Sequence, residues 1–593
     1  MRRTRRRSPL VIASTVIAVA LAVVTPATTL AAPSVEAPEP TVIDAAAFDT
    51  SEALRDAVRT GGPATATVPL QRHPRGDDTD GVPELVAPVA GAEIPTTLSG
   101  TGSAAAPPST DAIAPPIVNF EGISNVDNFN LFGFFVNPPD PVGDVGPNHY
   151  VEMVNLSLAV YDKAGNILLG PAPIGRLWNK FPIEDCTDLS GDPIVLYDQT
   201  TDRWILSQFT TRGFDGVSPF YNCVAVSKTG DPTGQYFRYA FITQQDPDGG
   251  YFFPDYPKYG VWDNSYLLTT RDFGSIDGYG ISVYALDKQA MVAGDPSAQA
   301  IQFFLDSAFV PLNLIGDGLL PADIDGSTLP DKEAPAPIVG TQDDGAFYGA
   351  TMDAVNIWDL RVNWGPAPQA SLDFAAQLRV KRFDSIFPCG VVPANPPPTS
   401  RDCLAQPGVA PNQYLDILSY RQRPTWRLAY RNFGTHEALV TNQSVEARRG
   451  VAGVRWYEIR RTDGVYSVYQ QGTYAPDDGV DRWMGSIAMD RNGNMALGYS
   501  VVNDVDVYPG IRYTGRLAGD PLGQMTLGEG VIATGSGVQT TLNSRWGDYT
   551  SMNVDSVDDC TFWYVNEYYT LAGQLASPAG WQTRIASLAL PGC

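Results

Sequence analysis

Four aspartates stand beside short runs of β-forming residues at similar places along the chain, namely Asp144, Asp192, Asp255 and Asp548. Carboxylates a few ångströms apart act as acid, base or nucleophile at glycosidic bonds. Several together can also hold a hard cation such as calcium. We predict these four as catalytic residues if the fold brings them to one place. The alternative is that each accepts hydrogen bonds from backbone N–H groups and locks neighbouring sheets together.

Two Arg-Trp dipeptides occupy equivalent places late in the chain, and one further arginine lies near the corresponding point of the preceding segment. A guanidinium fork matches a carboxylate in two hydrogen bonds, and flat aromatic rings can carry sugar rings. The alternative is that the arginines stack on tryptophan and pair with aspartate while the rings pack internally. The predicted substrate contacts in this group are Arg431, Arg482, Trp483, Arg545, Trp546 and Tyr549.

Histidine is scarce, with His73, His149 and His436 the three in the chain. His436 precedes Glu437, so it is either a general base at the substrate site or a structural hydrogen-bonding group. Two histidines in the folded region argue against zinc, copper or haem sites built from histidine. The chain has no G-x-S-x-G, H-E-x-x-H or P-loop motif, which argues against serine-hydrolase, zinc-protease and nucleotide chemistry.

The string Asp490-Arg-Asn-Gly-Asn494 resembles the start of a calcium loop, but Val501 stands where an acidic residue should close it. Asn492-Gly493 is instead a strong signal for a tight hairpin. The sequence therefore requires no cofactor, and calcium is the one that its carboxylates could hold.

Residues 1–32 contain five arginines, an apolar run from Leu10 to Val24 and a small-residue stretch ending at Ala32. This pattern is typical of a cleaved secretory signal peptide. Residues 33–115 are rich in Ala, Pro, Thr, Ser and Gly, which predicts a disordered linker or pro-segment. Within it, residues 44–60 could form one amphipathic helix. The folded domain is predicted over residues 116–593.

The formal net charge is −25, which argues against nucleic acid and anionic membranes as partners. No second apolar segment is long enough to span a membrane. We expect a secreted, extracellular monomer that acts on or binds a carbohydrate or polysaccharide.

Six cysteines in an exported chain predict three disulfides. Pairing of neighbours along the chain closes the shortest loops, although the sequence does not fix it. The expected pairs are Cys186 with Cys223, Cys389 with Cys403, and Cys560 with Cys593.

An internal repeat dominates residues 116–593: a β-rich run, a polar turn and a second apolar run recur seven times. The turns lie near residues 147, 199, 264, 344, 421, 491 and 557. Each repeat is long enough for four strands, and such sheets bury both faces by stacking around an axis. The prediction is an all-β fold, a single β-propeller of seven four-stranded blades, with an error of one blade in either direction (six or eight blades). A row of separate β-sandwiches is the alternative.

The strings Met489-Asp-Arg-Asn-Gly-Asn494 and Thr462-Asp-Gly-Val465 keep an Asp and a Gly of the hairpin motif called the Asp box, without the Thr-Trp that should follow. With the repeat, they make this region similar to the sialidase-like superfamily of secreted propellers. The resemblance covers the architecture and no catalytic motif. It implies three arginines around a ligand carboxylate, roles that would fall to Arg431, Arg482 and Arg545.

Three functions remain open at this point. The first is a glycoside hydrolase or sialidase-like enzyme acting at the mouth of the central channel. The second is a non-catalytic extracellular propeller that binds polysaccharide or protein, with its channel mouth filled by side chains. The third is a polysaccharide lyase in which Tyr549 or His436 removes a proton beside a uronate carboxylate.

Overall fold

A computed structural model describes residues 35, 38–60, 84–92, 94–95, 98, 113–246, 250–275, 278–332, 334–345, 348–386, 403–417, 422–541 and 544–593. The predicted signal peptide, His73 and Cys389 lie outside the described residues. In the part of the chain that is described, no helix is long and apolar enough to cross a membrane.

Short β-strands with polar turns make up most of the described structure, as expected from its many Val, Tyr, Phe and Trp residues. The strands are β1 (Thr41–Asp44), β2 (Ala47–Thr50), β3 (Glu84–Val86), β4 (Val118–Ser124), β5 (Phe135–Asn137), β6 (Val142–Val145), β7 (His149–Val154), β8 (Ser157–Asp162), β9 (Ile167–Pro173), β10 (Ile194–Asp198), β11 (Arg203–Phe209), β12 (Tyr221–Ser227), β13 (Tyr236–Ile242), β14 (Phe252–Val261), β15 (Ser265–Gly274), β16 (Tyr279–Asp287), β17 (Gln299–Asp306), β18 (Leu320–Ile324), β19 (Ala336–Gln342), β20 (Ala354–Asn363), β21 (Gln369–Arg379), β22 (Thr425–Asn432), β23 (Glu437–Arg448), β24 (Val451–Thr462), β25 (Val465–Tyr474), β26 (Asp481–Met489), β27 (Met495–Val502), β28 (Gly510–Arg516), β29 (Glu529–Ala533), β30 (Ser551–Val554), β31 (Phe562–Tyr569) and β32 (Trp581–Leu588). The α-helices are short: α1 (Leu54–Thr60), α2 (Asn125–Phe132), α3 (Lys288–Ala293), α4 (Leu312–Ile315) and α5 (Leu571–Ala576).

Within the described residues these strands form seven antiparallel units, which we number in chain order. Units 1 to 6 begin with β6, β10, β14, β18, β22 and β26, and each contains four consecutive strands. Unit 7 contains β30, β31 and β32, and its fourth strand is β4. Units 4 and 5 are joined into one eight-stranded sheet because β18 pairs in parallel with β22. A separate small sheet pairs β3 with β5.

The first strands of the seven units lie side by side in a closed ring. Each contacts the first strand of the next unit, and β30 of unit 7 contacts β6 of unit 1. Because β4 comes from the start of the folded region and completes the last sheet, the two ends of the ring are held together by a ladder of backbone hydrogen bonds. The starts of seven strands are thereby brought to one end of a central channel.

Five of the seven predicted hairpins are confirmed: those near residues 147, 199, 264, 491 and 557 join the first two strands of units 1, 2, 3, 6 and 7. The turn near 344 is also a hairpin, but it joins β19 to β20, the second and third strands of unit 4. The turn predicted near 421 lies outside the described residues. In unit 4, β19 was expected to be the first strand, yet β18 precedes it. In unit 5 the first strand is β22, whose hairpin turn falls at residues 433–436.

The expectation of a linker does not hold for residues 41–60. Strand β1 pairs with the outer strand β17 of unit 3, and β2 pairs with β13 of unit 2. The predicted single helix is replaced by these strands and α1. The outer strand of a sheet presents unpaired N–H and C=O groups. An extended segment with alternating apolar residues forms hydrogen bonds with these groups when it adds to the sheet as a fifth strand, whereas a helix over the same residues would leave them unpaired. Phe48 packs against Tyr239, with ring centroids 5.0 Å apart.

Two of the expected disulfides are confirmed among the described cysteines. Cys186 is bonded to Cys223, and Cys560 is bonded to the terminal Cys593. The first links strand β12 to the loop before β10, and the second ties the chain end to the β30–β31 hairpin. The pair of Cys403 with Cys389 stays a prediction because Cys389 lies outside the described residues.

Candidate functional site

Charged and aromatic side chains from five units meet at the end of the channel where the first strands begin. We call them the mouth cluster: Asp140, Asp192, Tyr256, Lys258, Arg423, Asp548 and Tyr549. All are buried, and Asp548 is the most exposed at 7%. Five of the seven lie two or three residues before the first strand of a unit, whereas Tyr256 and Lys258 lie in the middle of β14.

Lys258 lies between two tyrosine rings. Its Nζ atom is 3.0 Å from the ring centre of Tyr256 and 3.2 Å from that of Tyr549. A β-bulge after Asp255 turns this part of β14 inward, and Tyr256 has a left-handed φ of 55°. Burial lowers the pKa of Lys258 well below its ordinary value. The Lys258 nitrogen is thus held between two ring faces, and burial favours its neutral form.

Asp192 and Tyr549 form the second contact of the cluster. The Tyr549 hydroxyl donates to Oδ2 of Asp192 at 3.0 Å. Burial, followed by the nearby charges of Asp140 and Asp255, raises the pKa of Asp192 well above its usual value. Burial also raises the pKa of Tyr549, so the protonated form of both groups is favoured. A protonated carboxyl in this position can act as a general acid.

Asp140 connects units 1, 2 and 7. Its carboxylate accepts hydrogen bonds from the backbone N–H of Asp548 at 2.7 Å and from the Asn155 amide at 2.7 Å. The same Asn155 side chain accepts from the backbone N–H of Asp192 at 3.0 Å. Burial, and next the charge of Asp548, raises the pKa of Asp140 to about 6. The aspartates therefore sit in one network fixed by an amide and by backbone groups.

Arg423 reaches the cluster from the segment before β22. Its guanidinium carbon is 3.9 Å from the ring centre of Tyr256, and Nη2 is 3.6 Å from Oδ1 of Asp548. The other oxygen of Asp548 is 3.3 Å from Nη2 of Arg545. Asp548 is thus flanked by two guanidinium groups, and Arg423 is fully buried.

Several of these polar groups lack a hydrogen-bond partner among the described residues. The atoms concerned are Oδ1 of Asp192, the Tyr256 hydroxyl oxygen, Nζ of Lys258 and all three guanidinium nitrogens of Arg423. An unsatisfied buried polar group costs about 1–3 kcal/mol, and more if it is charged. Groups of this kind are rare in folded proteins, and functional sites are where they gather. The cluster can offer a proton, positive charge and hydrogen-bond donors to a ligand placed among them.

Asp144 lies deeper in the channel and has a structural role. One of its oxygens accepts from the Val145 backbone N–H, and the other accepts at 2.7 Å from the N–H of Tyr197 in unit 2. Burial raises its pKa to about 8, although the neighbouring Arg427 opposes the shift. The alternative, in which an aspartate locks adjacent units, describes this residue, and the geometry does not bring it into the mouth cluster.

Asp255 adjoins the cluster, and its charge contributes to the raised pKa of Asp192. Its Oδ1 accepts from the backbone N–H of Tyr256 at 2.7 Å. In the strand pairing it stands opposite Arg271, which is 3.1 Å from Asp317. Asp255 therefore helps to shape the bulge that aims Tyr256 inward.

The three arginines predicted to surround one carboxylate do not meet. Arg431 lies at the far end of β22 and forms a two-bond ion pair with Asp559. Arg482 is bound by Asp478 and Glu529 in unit 6. Arg545 alone of the three reaches the cluster. Repeat position placed these residues in the correct strands, but each side chain points to a nearer acidic partner.

The predicted aromatic platforms are core residues. Trp483 and Trp546 pack against each other with ring centroids 5.1 Å apart, and both are buried. Tyr549 is the one predicted ring that reaches the mouth cluster. His436 lies in the β22–β23 turn, where it stacks on Phe433 at 5.1 Å, so it is not placed to act at the mouth.

A described loop, residues 403–417, covers part of this end of the ring. Leu404 and Leu415 form a β-bridge, and both pack in a cluster with Trp483 and Trp546. The backbone N–H of Asp416 donates to the carbonyl of Ser544. The mouth is therefore lined with buried side chains and is not an open basin in the described structure.

Sequence reasoning missed four members of the cluster: Asp140, Tyr256, Lys258 and Arg423. Lys258 carries a local signal, because a lysine stands inside an otherwise aromatic strand, Tyr256-Pro-Lys-Tyr259. Asp140 lies two residues before β6, the same offset that Asp192 has from β10. Arg423 has no such signal, since nothing local distinguishes it from Arg427.

One group of three carboxylates in the described residues has oxygens within 4.8 Å of one another: Asp343, Asp344 and Asp353. The carboxylates of Asp343 and Asp353 accept hydrogen bonds from backbone N–H groups and tie the end of β19 to residues 383–385. The carboxylate of Asp344 accepts from the Arg382 side chain at 3.4 Å. Their acceptor capacity is used by the chain itself. Calcium binding stays a prediction, and in the 490–494 turn Asp490 likewise accepts from backbone N–H groups of its own hairpin.

No protein-family model matches the chain, and no curated protein sequence matches it. Among solved structures, it is similar to an endo-arabinase from Bacteroides thetaiotaomicron at 15% identity, covering 54% of this chain and 92% of that one, with a TM-score of 0.24. An alpha-L-arabinofuranosidase from Fusarium graminearum aligns at 10% identity over 68% and 92% of the two chains, with a TM-score of 0.33. The WD40 domain of SCAP from fission yeast aligns at 8% identity over 76% and 85%, with a TM-score of 0.27. These scores are too low to support an inference about fold or function.

Proposed function

We propose that the closed ring is a seven-bladed β-propeller and that the protein is a secreted enzyme acting on a glycan at the channel mouth. The ring contacts and the strand order support the architecture. Two disulfides among the described residues are typical of proteins from oxidising compartments. The mouth cluster supports the enzymatic assignment.

In this proposal Asp192 is the general acid. Burial raises its pKa and so favours the protonated form, and its Oδ1 atom has no partner among the described residues, so it can donate to a glycosidic oxygen. Asp548 supplies the second carboxylate, as base or nucleophile, held between Arg423 and Arg545. Tyr549 fixes the orientation of Asp192 through its hydroxyl.

One observation carries the proposal. Arg423 and Lys258 are both buried, and neither makes a hydrogen bond with the described residues, although they adjoin carboxyl groups. A fold selected for stability alone would pair or remove such charges. Their retention beside an acid with a raised pKa is the pattern of a site built for a polar ligand.

A second candidate is the non-catalytic binding propeller. It is favoured by the burial of every mouth-cluster residue and by the cover that residues 403–417 provide. A lyase is less well supported. Burial raises the pKa of Tyr549 and so disfavours the deprotonated form that a base needs, and His436 lies in a distant turn.

The test is incubation of the mature protein with a panel of neutral and acidic polysaccharides, with mass-spectrometric detection of released sugars. The Asp192→Asn variant should lose at least about a hundredfold in rate, the lower end of general-acid effects. Glu152→Gln is the matched control, because Glu152 is also buried with a pKa raised to about 7 but contacts Ile123 and Thr583 instead of the mouth.

The outcomes separate the two candidates. Product release that Asp192→Asn loses and Glu152→Gln keeps would support the enzyme. Retention of the protein on a polysaccharide without any product would favour the binding propeller. Equal product release by both variants would exclude Asp192 as the acid.

A further inference from the structure

A large cleft opens between units 3 and 4, away from the mouth cluster. Its volume is about 1080 Å³, at the upper end of the range for ligand sites. The residues that line it come from the β14–β15 hairpin, the loop after β18 and the β20–β21 turn. Trp262 directly follows β14 and lies six residues beyond Tyr256, about 20 Å along an extended chain. The cleft is therefore on the opposite side of the ring from the mouth.

A fixed aromatic ring forms one wall of the cleft. Trp364 is half-buried, and its indole N–H donates to the Ser265 hydroxyl of unit 3 at 3.0 Å. This bond crosses from unit 4 to unit 3 and holds the ring in position. Behind it lies an apolar floor that includes Leu267, Leu360 and Val362. A rigid ring above apolar side chains is a suitable surface for the C–H face of a sugar.

Around this wall lie polar side chains that make no hydrogen bond with any described residue: Asp263, Asp331, Lys332, Asn363 and Gln369. Carboxylate, ammonium and amide groups together offer both donors and acceptors. A polyhydroxylated ligand needs this mixture, since each sugar hydroxyl both donates and accepts. These side chains are exposed or half-buried, so they are free to exchange bound water for the hydroxyl groups of a ligand.

The charge of the cleft discriminates between neutral and acidic sugars. Lys288 is paired with Asp198 at 3.0 Å, and Arg361 lies 3.5 Å from both Asp359 and Asp373. Among the described residues, the lining charges without an ion-pair partner are those of Asp263, Asp331 and Lys332. Because Arg361 faces two carboxylates, the cleft and its ion-pair partners together carry an excess of two negative charges. A uronate would meet repulsion here.

We propose that this cleft is a second glycan-binding site, specific for a neutral oligosaccharide, with Trp364 as its platform. It does not depend on catalysis at the mouth. It would hold a polysaccharide chain against the protein independently of any cleavage, and it would do so in either the enzyme or the binding propeller.

Calorimetric titration of the full mature protein tests the site. The probes are neutral hexasaccharides of glucose, xylose, mannose and arabinose, with hexagalacturonate as the acidic comparison. We expect one neutral hexasaccharide to bind, and Trp364→Ala to weaken its binding at least tenfold. Ser371→Trp, which fills the cleft without removing a contact with the ligand, should have the same effect. Tyr469→Ala, an exposed ring on β25, is the matched control and should bind as wild type.

Thermal unfolding of each variant checks that the fold is intact, and Ser371→Trp keeps the test decisive if Trp364→Ala unfolds. Unchanged affinity in both cleft variants would overturn the proposal. So would the absence of neutral hexasaccharide binding at millimolar concentrations, tighter binding of hexagalacturonate, or binding that Arg423→Met abolishes and Trp364→Ala leaves unchanged.

Discussion

Arg423 and Arg427 lie four residues apart and both reach the central channel, but they differ in their hydrogen-bond partners. Arg427 donates one hydrogen bond to Asp323 at 2.7 Å and two to Asp325 at 2.7 and 3.0 Å. Arg423 makes no hydrogen bond with the described residues. Both are buried. Burial alone therefore does not distinguish a structural charge from a functional one, whereas the state of its partners does.

The difference extends to the carboxylates on each level. Around Arg427, Asp144 and Asp323 accept backbone N–H bonds from the neighbouring units 2 and 3, so this level joins the first strands of the ring. Around Arg423, Asp192 keeps one oxygen without a partner among the described residues. At the deeper level, charged side chains form hydrogen bonds that join neighbouring first strands. At the mouth, polar groups remain available to a ligand.

The largest effect on stability should come from Arg427→Met. The substitution leaves Asp323 and Asp325 buried without their counter-charge, and breaking a buried pair costs about 3–5 kcal/mol. Denaturation with guanidinium chloride, followed by tryptophan fluorescence, measures the free energy of unfolding. A loss below about 1 kcal/mol would mean that the deeper level does not fasten the ring.

Asp144→Asn should have the next largest effect. The amide replaces one acceptor oxygen with a donor that faces a backbone N–H group, so we expect a loss of about 1–3 kcal/mol. Activity per folded molecule should stay unchanged, because Asp144 is outside the mouth cluster. A variant that folds as stably as wild type but releases no product would instead return Asp144 to the catalytic site.

The fold and the mouth cluster differ in how much of each could be predicted from the sequence. Five hairpins were found because each combines a β-rich run with a polar turn, a purely local signal. The first strand of unit 4, β18, was missed because it is five residues long and contains Pro321 and Asp323. The mouth cluster depends on contacts such as that between Asp548 and Asp140, 408 residues apart, which no local pattern encodes.

Stability should fall as the pH rises from about 5 to 8. Burial raises the pKa of Glu152 and of Asp272 to about 7, above their values in the unfolded chain. The folded state then binds more protons over this range, so its stability decreases with pH by up to about 1.4 kcal/mol per unit for each group. Asp272→Asn, which cannot ionise, should make this decline shallower in unfolding measurements at several pH values. An unchanged slope would contradict the assignment.

His436→Ala should have the smallest effect. The ring lies in a turn, half-buried against Phe433 and bonded to Thr435, so we expect a change in stability within about 0.5 kcal/mol and no change in glycan cleavage or binding. A loss of activity would revive His436 as the base of a lyase.

The most direct test of the functional assignment is Arg423→Met, measured beside Arg427→Met. Arg423 makes no hydrogen bond with the described residues, and its neighbour Asp548 keeps Arg545 as a second counter-charge. Replacement of Arg423 by an apolar chain of similar length should therefore leave the free energy of unfolding within about 1 kcal/mol of wild type, or raise it. The same variant should lose glycan cleavage or binding at the mouth. A loss of about 3 kcal/mol or more, similar to that of Arg427→Met, or full retention of activity, would contradict the assignment of the mouth cluster as the functional site.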